Sequence, residues 1–190
     1  DGVFITNYFL DGNIGIDKSR PYEEKIEFYF ADYEEGLKIG KELGIKVFLG
    51  AELSYGGTDF LVYGLDKEWF LKNPQIMEMQ KSEELTFMRK NGALVIQAHP
   101  YRKAEYIDHI RLYPEHIDGV EIINIRRPEF ENKMAMIFAD QYKLLKTAGT
   151  DNHDGANQKR FAGLFSETPL VDERDFINRV RNGEMNIFCF

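Results

Sequence analysis

The sequence has a single cysteine, Cys189, among its 190 residues, so it cannot form an internal disulfide. A chain of this length buries enough apolar surface to fold without such a cross-link, and a lone thiol fits a reducing compartment best. No apolar run reaches the roughly 20 residues that a membrane-spanning helix needs, and no signal peptide is visible. We therefore expect one cytoplasmic domain over residues 1–190, without a membrane partner.

Positive charge is also scarce, since 24 Lys and Arg face 32 Asp and Glu, for a formal net charge of -8. This balance argues against nucleic acid or an anionic membrane as a partner. It does not exclude a small anionic substrate, because bound cations can invert the field of an acidic pocket. The chain begins at Asp1 without Met, directly in a strand-like run, so we expect that a segment upstream is missing. The sequence leaves the oligomeric state open.

Apolar, β-branched runs alternate with amphipathic segments along the chain. Strands are predicted at 2–6, 46–53, 59–65, 93–98, 119–124 and 186–190, and helices at 21–43, 82–91, 130–145 and 172–182. A glycine turn at 55–58 separates two of the strands. Strands and helices that alternate through modest loops indicate an α/β fold with a largely parallel sheet.

Polar residues stand at the ends of three apolar runs. Glu52, His99 and Asp151 each lie at or just past such an end, where barrels and open α/β sheets place their chemistry. Asp151 and His153 are two apart in T-A-G-T-D-N-H-D at 147–154, so an extended segment would point both side chains to one side. A carboxylate and an imidazole that converge in this way are suitable ligands for a divalent cation.

Each of these residues also has an ordinary structural explanation. Glu52 could form a salt bridge with a nearby Lys or Arg, and a His at a strand end, such as His99, is often simply hydrogen-bonded. Glu121 could be an edge-strand residue that faces solvent. Asn124 could orient a ligand or only cap a turn. Asp and His are common in turns, so the pair at 151 and 153 is ambiguous by itself.

Taken together, four stretches resemble the PHP family, the polymerase and histidinol phosphatase domain. They are V-F-L-G-A-E at 47–52, Q-A-H-P at 97–100, G-V-E-I-I-N at 119–124 and T-A-G-T-D-N-H at 147–153, and their order and spacing match over nearly the whole chain. The resemblance implies an irregular (β/α)7 TIM-like barrel. It also implies hydrolysis of phosphoesters by up to three divalent metal ions at the C-terminal face of the barrel.

By position, the resemblance makes Glu52 a ligand that bridges two metals. It makes His99, Asp151 and His153 further metal ligands, and Glu121 falls where the family varies its ligand. Mixed histidine and carboxylate ligands suit Zn, Mn and Fe alike.

Two family motifs are altered or absent. The family opens with an H-x-H strand that this chain lacks, and its usual T-D-H is replaced by Thr6, Asn7 and Tyr8. An amide and a phenol with a high pKa are poor substitutes for a carboxylate and an imidazole. We therefore expect a barrel without its first strand and with fewer metals than usual, the best-occupied site being that of Glu52, His99 and Glu121.

Arg102 is the best-placed phosphate clamp in the sequence, because a guanidinium binds phosphate bidentately. Arg126 and Arg127 are second choices, and each of the three could instead be a solvated surface charge. The leading hypothesis is a phosphoesterase that acts on a small phosphorylated metabolite, with Glu52, Asp151 and Arg102 in catalytic roles. The alternatives are a degenerate barrel that binds a ligand or a protein, and a metallohydrolase that acts on a C–N bond.

Overall fold

The computed structural model describes residues 2–153 and 155–190, which form eight β-strands and five α-helices. The strands are β1 (Gly2–Ile5), β2 (Lys46–Tyr55), β3 (Thr58–Tyr63), β4 (Leu94–Ala98), β5 (Gly119–Asn124), β6 (Leu145–Gly149), β7 (Ala162–Phe165) and β8 (Asn186–Cys189). The helices are α1 (Tyr22–Leu43), α2 (Lys67–Lys72), α3 (Lys81–Lys90), α4 (Glu129–Tyr142) and α5 (Glu173–Asn182). Asp154, the last residue of the T-A-G-T-D-N-H-D stretch, lies outside the described residues. Within those residues, every helix is too short or too polar to cross a membrane.

Strands β1 to β6 form one curled sheet in which the spatial order follows the chain order. The pairs β1–β2, β4–β5 and β5–β6 are parallel, whereas β3 runs antiparallel to both β2 and β4. Strands β7 and β8 form a separate antiparallel pair. The predicted α/β class is therefore confirmed, and the sheet is a parallel-rich half-barrel.

A tight turn reverses the chain between β2 and β3. Gly56 and Gly57 have φ angles of 55° and 84°, a left-handed conformation that glycine adopts without a steric penalty. The strand after the turn runs back, so its first residues lie at the edge where the neighbouring parallel strands end. This reversal brings the beginning of β3 into the region where a site was predicted.

Glycine and aspartate caps delimit two helices as predicted. Gly44 follows α1 with a φ of 70°, and its N–H donates to the carbonyl of Gly40. The Asp172 side chain accepts a hydrogen bond from the backbone N–H of Asp175, which caps the first turn of α5. Gly183 ends that helix with a φ of 72°.

The third predicted helix, 130–145, is wrong at its C-terminal end. Helix α4 ends at Tyr142, and Leu145 is already the first residue of β6. Lys143 takes the left-handed conformation, with a φ of 55°, that a glycine usually supplies at a helix end. Because a lysine holds this position, the sequence carries no stop signal there. The short elements α2 and β7 are also absent from the sequence-based prediction.

Aromatic side chains link the helices to the half-barrel. Phe9, Phe30 and Phe70 are fully buried, and the ring of Phe70 lies 4.8 Å from that of Phe9 and 5.9 Å from that of Phe30. A second cluster packs Ile177 of α5 against Leu94 of β4 and its neighbours. Neighbouring residues of β4 enter different clusters, Val95 the first and Leu94 the second, so helices cover both faces of the sheet.

We predict that Gly40→Ala destabilises the fold, although alanine favours a helix over glycine by about 1 kcal/mol. A Cβ at Gly40 would lie 2.5 Å from Val47 Cγ2 and 2.7 Å from the carbonyl oxygen of Ile45. Overpacking of this kind costs about 1–3 kcal/mol. The measurement is the free energy of unfolding by urea.

Gly36→Ala is the matched control in the same helix. Its Cβ would meet only the terminal methyl group of Ile5, which can rotate away, so the loss should be smaller than at Gly40. A Gly40→Ala protein as stable as the wild type would contradict the close contact between α1 and β2.

Candidate metal centre

Three buried side chains of metal-ligand type meet at the edge where the parallel strands end. They are Glu52 near the end of β2, Asp59 at the start of β3 and His99 just after β4, and their ligand atoms all lie within 4.8 Å of one another. Asp59 pairs with Ser54 and with Ala98 in the sheet register. Alternate residues of a strand share a face, so Asp59 lies on the same face as Glu52 and beside the residue that precedes His99.

The backbone of His99 bends sharply at the end of β4. Its φ is 27°, and its N–H donates a 3.0 Å hydrogen bond to Oε2 of Glu121. Its ring Nε2 lies 3.8 Å from Glu52 Oε1 and 3.8 Å from Asp59 Oδ2. The other ring nitrogen, Nδ1, is buried and has no hydrogen-bond partner among the described residues.

These separations suit a shared cation. A distance of 3.8 Å is too long for a hydrogen bond. Two ligands that bind one ion tetrahedrally through bonds of about 2.1 Å lie about 3.4 Å apart, so a slight approach of the three atoms would complete such a site. One imidazole and two carboxylates form a donor set that suits Zn, Mn or Fe. The residues present therefore fit a divalent cation.

The excess of negative charge perturbs the groups of the cluster. Burial, together with Asp59 and Asp151, raises the pKa of Glu52 against the opposing effect of His99. Burial alone would lower the pKa of His99, but the carboxylates of Glu52, Glu121 and Asp59 raise it overall. A bound cation would reverse this balance, because it favours ionised carboxylates and a neutral imidazole.

Asp59 is held from two further directions. Ser54 donates its hydroxyl to Oδ1 at 2.7 Å, and Arg102 donates Nη2 to Oδ2 at 2.9 Å. The same Nη2 also donates to the carbonyl of Gly57 in the hairpin turn, at 3.1 Å. Arg102, the predicted phosphate clamp, therefore lies next to the cluster but is engaged with one of its carboxylates.

Asp151 and His153 line the groove that also contains Glu52 and His99. The segment is not extended as expected, because Asp151 has a φ of 50°. The two side chains face each other, with Nδ1 of His153 lying 3.3 Å from Oδ1 of Asp151. The imidazole of His153 is about half exposed, so it remains open to the groove.

Glu121 faces the interior of the protein. Its Oε2 accepts hydrogen bonds from the His99 backbone and from Nδ2 of Asn124. Burial raises its pKa to about 7, although His99 and Asn124 oppose the shift. A Cβ on Gly149 would lie 2.2 Å from Oε1 of Glu121, so only glycine leaves room for this carboxylate. Glu121 lies outside the group of three ligand atoms.

Tyr8 lines the groove next to Glu52 and His153. It forms a parallel bridge with Glu52, and its ring lies edge-on to His153 with centroids 6.2 Å apart. Burial and the carboxylates of Glu52, Asp59 and Asp151 raise its pKa to about 12. Tyr8 is therefore a neutral phenol at neutral pH.

The two other predicted phosphate contacts lie past the end of β5. Arg127 donates Nε to Glu131 Oε2 at 2.7 Å and is thereby tied to α4. Arg126 is exposed and lines a shallow pocket of about 400 Å³ with the segment 157–160. The pocket is separate from the groove that holds the acidic cluster.

The groove itself is large, at about 1750 Å³. Its polar end is formed by Tyr8, Glu52, His99, Glu121, Asn124, Asp151 and His153. Aromatic side chains that include Phe161 and Phe165 also line the groove. The space exceeds the roughly 300–1,000 Å³ of common small-molecule sites, so a small phosphorylated compound can reach the cluster.

Asp59 is the residue that the sequence analysis missed. The available signal was the glycine turn, because a hairpin returns the chain to the edge where β2 ends. An acidic residue directly after such a turn would be expected to face Glu52 and His99. The sequence-based prediction treated 59–65 only as a further strand.

No protein-family model and no curated protein matches the chain. Its fold is similar to that of a two-domain protein containing a predicted PHP-like metal-dependent phosphoesterase from Bacteroides vulgatus ATCC 8482, with a TM-score of 0.63 and 14% identity. The alignment covers 99% of this chain and 55% of that protein. The resemblance to the PHP family is thus confirmed at the level of the fold.

Two other solved structures are less similar. One is an inferred metal-dependent phosphoesterase from Bifidobacterium adolescentis ATCC 15703, with a TM-score of 0.48, 12% identity and coverage of 64% of this chain and 73% of that one. The other is PsfC from Pseudomonas syringae PB-5123, with a TM-score of 0.49, 19% identity and coverage of 70% and 57%.

We predict that Asp59→Asn weakens the binding of Mn²⁺ at least about tenfold. Mutation of a residue that only hydrogen-bonds to a metal ligand already lowers metal affinity by about 10–100-fold, and Asp59 would be a ligand itself. Isothermal titration calorimetry measures the affinity. Asp32→Asn is the control, since Asp32 is an exposed carboxylate of the same groove outside the cluster. Equal losses in the two variants would point to a general charge effect instead of ligation.

Proposed function

We propose that the chain is the catalytic domain of a metal-dependent phosphoesterase that hydrolyses a small phosphorylated metabolite, in the manner of a histidinol phosphatase. The observation that carries the proposal is the buried group of Glu52, Asp59 and His99, whose ligand atoms lie within 4.8 Å of one another at the strand ends. The fold shared with a PHP-like protein supports it. We further propose a PHP-type (β/α)7 barrel that includes residues 1–190, in the cytoplasm.

Glu52, Asp59 and His99 would hold the cation. A divalent cation bound there would supply a water molecule of lowered pKa and would polarise a phosphoryl oxygen. Asp151 and His153 line the same groove and would add ligands for a further ion. Tyr8, as a neutral phenol, would donate a hydrogen bond to the substrate without neutralising the carboxylates around it.

Arg102 would bind the phosphate by exchanging partners. Its Nε is buried and has no hydrogen-bond partner among the described residues, whereas its Nη2 donates to Asp59. A phosphate that entered beside Asp59 would satisfy the free N–H and compete for the guanidinium. Arg126, exposed past the end of β5, lines a separate pocket, so it would contact only a substrate that extends beyond the groove.

A non-catalytic barrel that binds a ligand or a protein is the second candidate. Two observations favour it: Tyr8 stands where the family places an imidazole, and Arg102 already neutralises Asp59. The guanidinium of Arg102 would compete with a metal ion for the carboxylate of Asp59. Such a protein would bind few or no metal ions.

Elemental analysis and a substrate panel distinguish the candidates. The protein should be purified without chelator, analysed for Zn, Mn and Fe, and assayed on phosphomonoesters, phosphodiesters and amides. The proposal expects bound metal and phosphomonoester hydrolysis that EDTA abolishes and Mn²⁺ restores. Bound metal with hydrolysis of amides only would indicate a C–N hydrolase. An absence of both metal and turnover would favour the non-catalytic barrel.

We predict that Glu52→Gln abolishes both metal occupancy and turnover. The pKa of Glu52 is raised, so its ionised form destabilises the metal-free fold at neutral pH, and glutamine mimics the protonated form. In EDTA, the variant should therefore be at least as stable as the wild type at pH 7. Thermal unfolding with and without metal measures this, and unchanged turnover would rule out Glu52 as a ligand.

We predict that Tyr8→His increases the number of bound metal ions per chain. The new imidazole would face the carboxylates of Glu52 and Asp151 and would lie beside His153, whereas the phenol of Tyr8 stays protonated. Tyr8→Phe is the control, because it removes only the hydroxyl and should leave the metal content unchanged. Equal metal content in both variants would contradict a further site at His153.

A further inference from the structure

The side-chain amide of Asn124 lies between two carboxylates of the groove. Its Nδ2 donates to Glu121 Oε2 at 3.1 Å and to Asp151 Oδ2 at 3.1 Å. Its carbonyl Oδ1 accepts the backbone N–H of Arg126 at 2.9 Å. Asn124 is 1% exposed, and both donors and the carbonyl oxygen of its side chain are engaged in hydrogen bonds.

A second asparagine fixes the backbone beneath this amide. Asn132 of α4 accepts the N–H of Asn124 through Oδ1 and donates Nδ2 to its carbonyl, each at 3.1 Å. The orientation of the Asn124 amide is therefore determined, since the reverse orientation would place its carbonyl oxygen against both carboxylates and lose every bond. The N–H groups of this amide therefore point toward the carboxylates of Glu121 and Asp151.

The hydrogen bonds form a chain from Asp151 to His99. Asn124 binds Asp151 and Glu121, and Glu121 accepts the backbone N–H of His99 at 3.0 Å. Both ends of this chain have unusual backbones, with φ angles of 50° at Asp151 and 27° at His99. Such conformations are unfavourable for residues other than glycine and persist only where neighbouring contacts impose them.

We propose that Asn124 is a positioning residue of the metal centre, which holds Asp151 directly and His99 through Glu121 in the geometry that receives a divalent cation. A lysine or arginine at this position could make similar contacts, but its charge would cancel the carboxylates and repel the ion. A neutral amide separates two carboxylates and leaves their charge available. The inference rests on the proposed metal-dependent function, since it concerns the same centre.

Asn124→Leu tests the proposal, because leucine has a similar volume and no donor. Isothermal titration calorimetry with Mn²⁺ should show affinity weakened by about 10–100-fold, the range for lost partners of metal ligands. Asn124→Ser retains a single donor and should give an intermediate affinity. If the leucine variant does not fold, the Mn²⁺ affinity of Asn124→Ser tests the proposal in its place.

Gln97→Leu is the matched control for the loss of a buried amide. Gln97 is fully buried in β4, and its amide donates to the Arg111 carbonyl and accepts the N–H of Tyr113, away from the carboxylates. This variant should lose thermal stability while its Mn²⁺ affinity stays within about twofold of the wild type, because metal affinity depends on ligand geometry and not on overall stability.

The possible outcomes separate the two proposals. Wild-type affinity for Mn²⁺ in the Asn124 variants would overturn the positioning role and leave the phosphoesterase proposal intact. Equal weakening in the Gln97 and Asn124 variants would also overturn it, since the effect would then follow stability alone. A wild-type protein that binds no Mn²⁺, Zn²⁺ or Fe²⁺ would overturn the metal centre, and the positioning role with it.

Discussion

Repulsion among buried carboxylates is the constraint on which the rest of this structure depends. Glu52, Asp59 and Glu121 are each less than 10% exposed and meet at one end of the half-barrel. Within the described residues, His99 and Arg102 are the basic residues whose contacts with these carboxylates have been described above. Each unpaired ion in such surroundings costs several kcal/mol, so the arrangement is unfavourable unless a cation enters or protons are retained.

The fold meets this constraint with backbone geometry. Reversal of the chain at Gly56 and Gly57 returns Asp59 to the edge of the sheet, and Gly149 leaves space for the carboxylate of Glu121. Left-handed conformations at His99 and Asp151 turn both side chains toward the groove. The strained backbone and the buried carboxylates thus lower the stability of the site, whereas the aromatic core and the helices stabilise the rest of the protein.

Much of this arrangement could be predicted from the amino-acid sequence. Apolar runs that end in Glu52 or His99 predict strand ends, and the cap residues Asp172 and Gly183 predict α5 correctly. Asp59 was missed because periodicity places a strand without giving its direction, and only the glycine turn at 55–58 indicated that direction. The end of α4 could not be found either, since Lys143 adopts a conformation that its residue type does not favour.

The order of strands in the sheet has a consequence for how the protein forms. Each strand from β2 to β6 pairs with the strand that precedes it in the chain, so a growing polypeptide meets its partner already in place. Pairing between neighbours in sequence keeps the loop-closure entropy low. Glu52, Asp59 and His99 are synthesised before residue 100. The acidic cluster can therefore assemble before the last helix, α5, is complete.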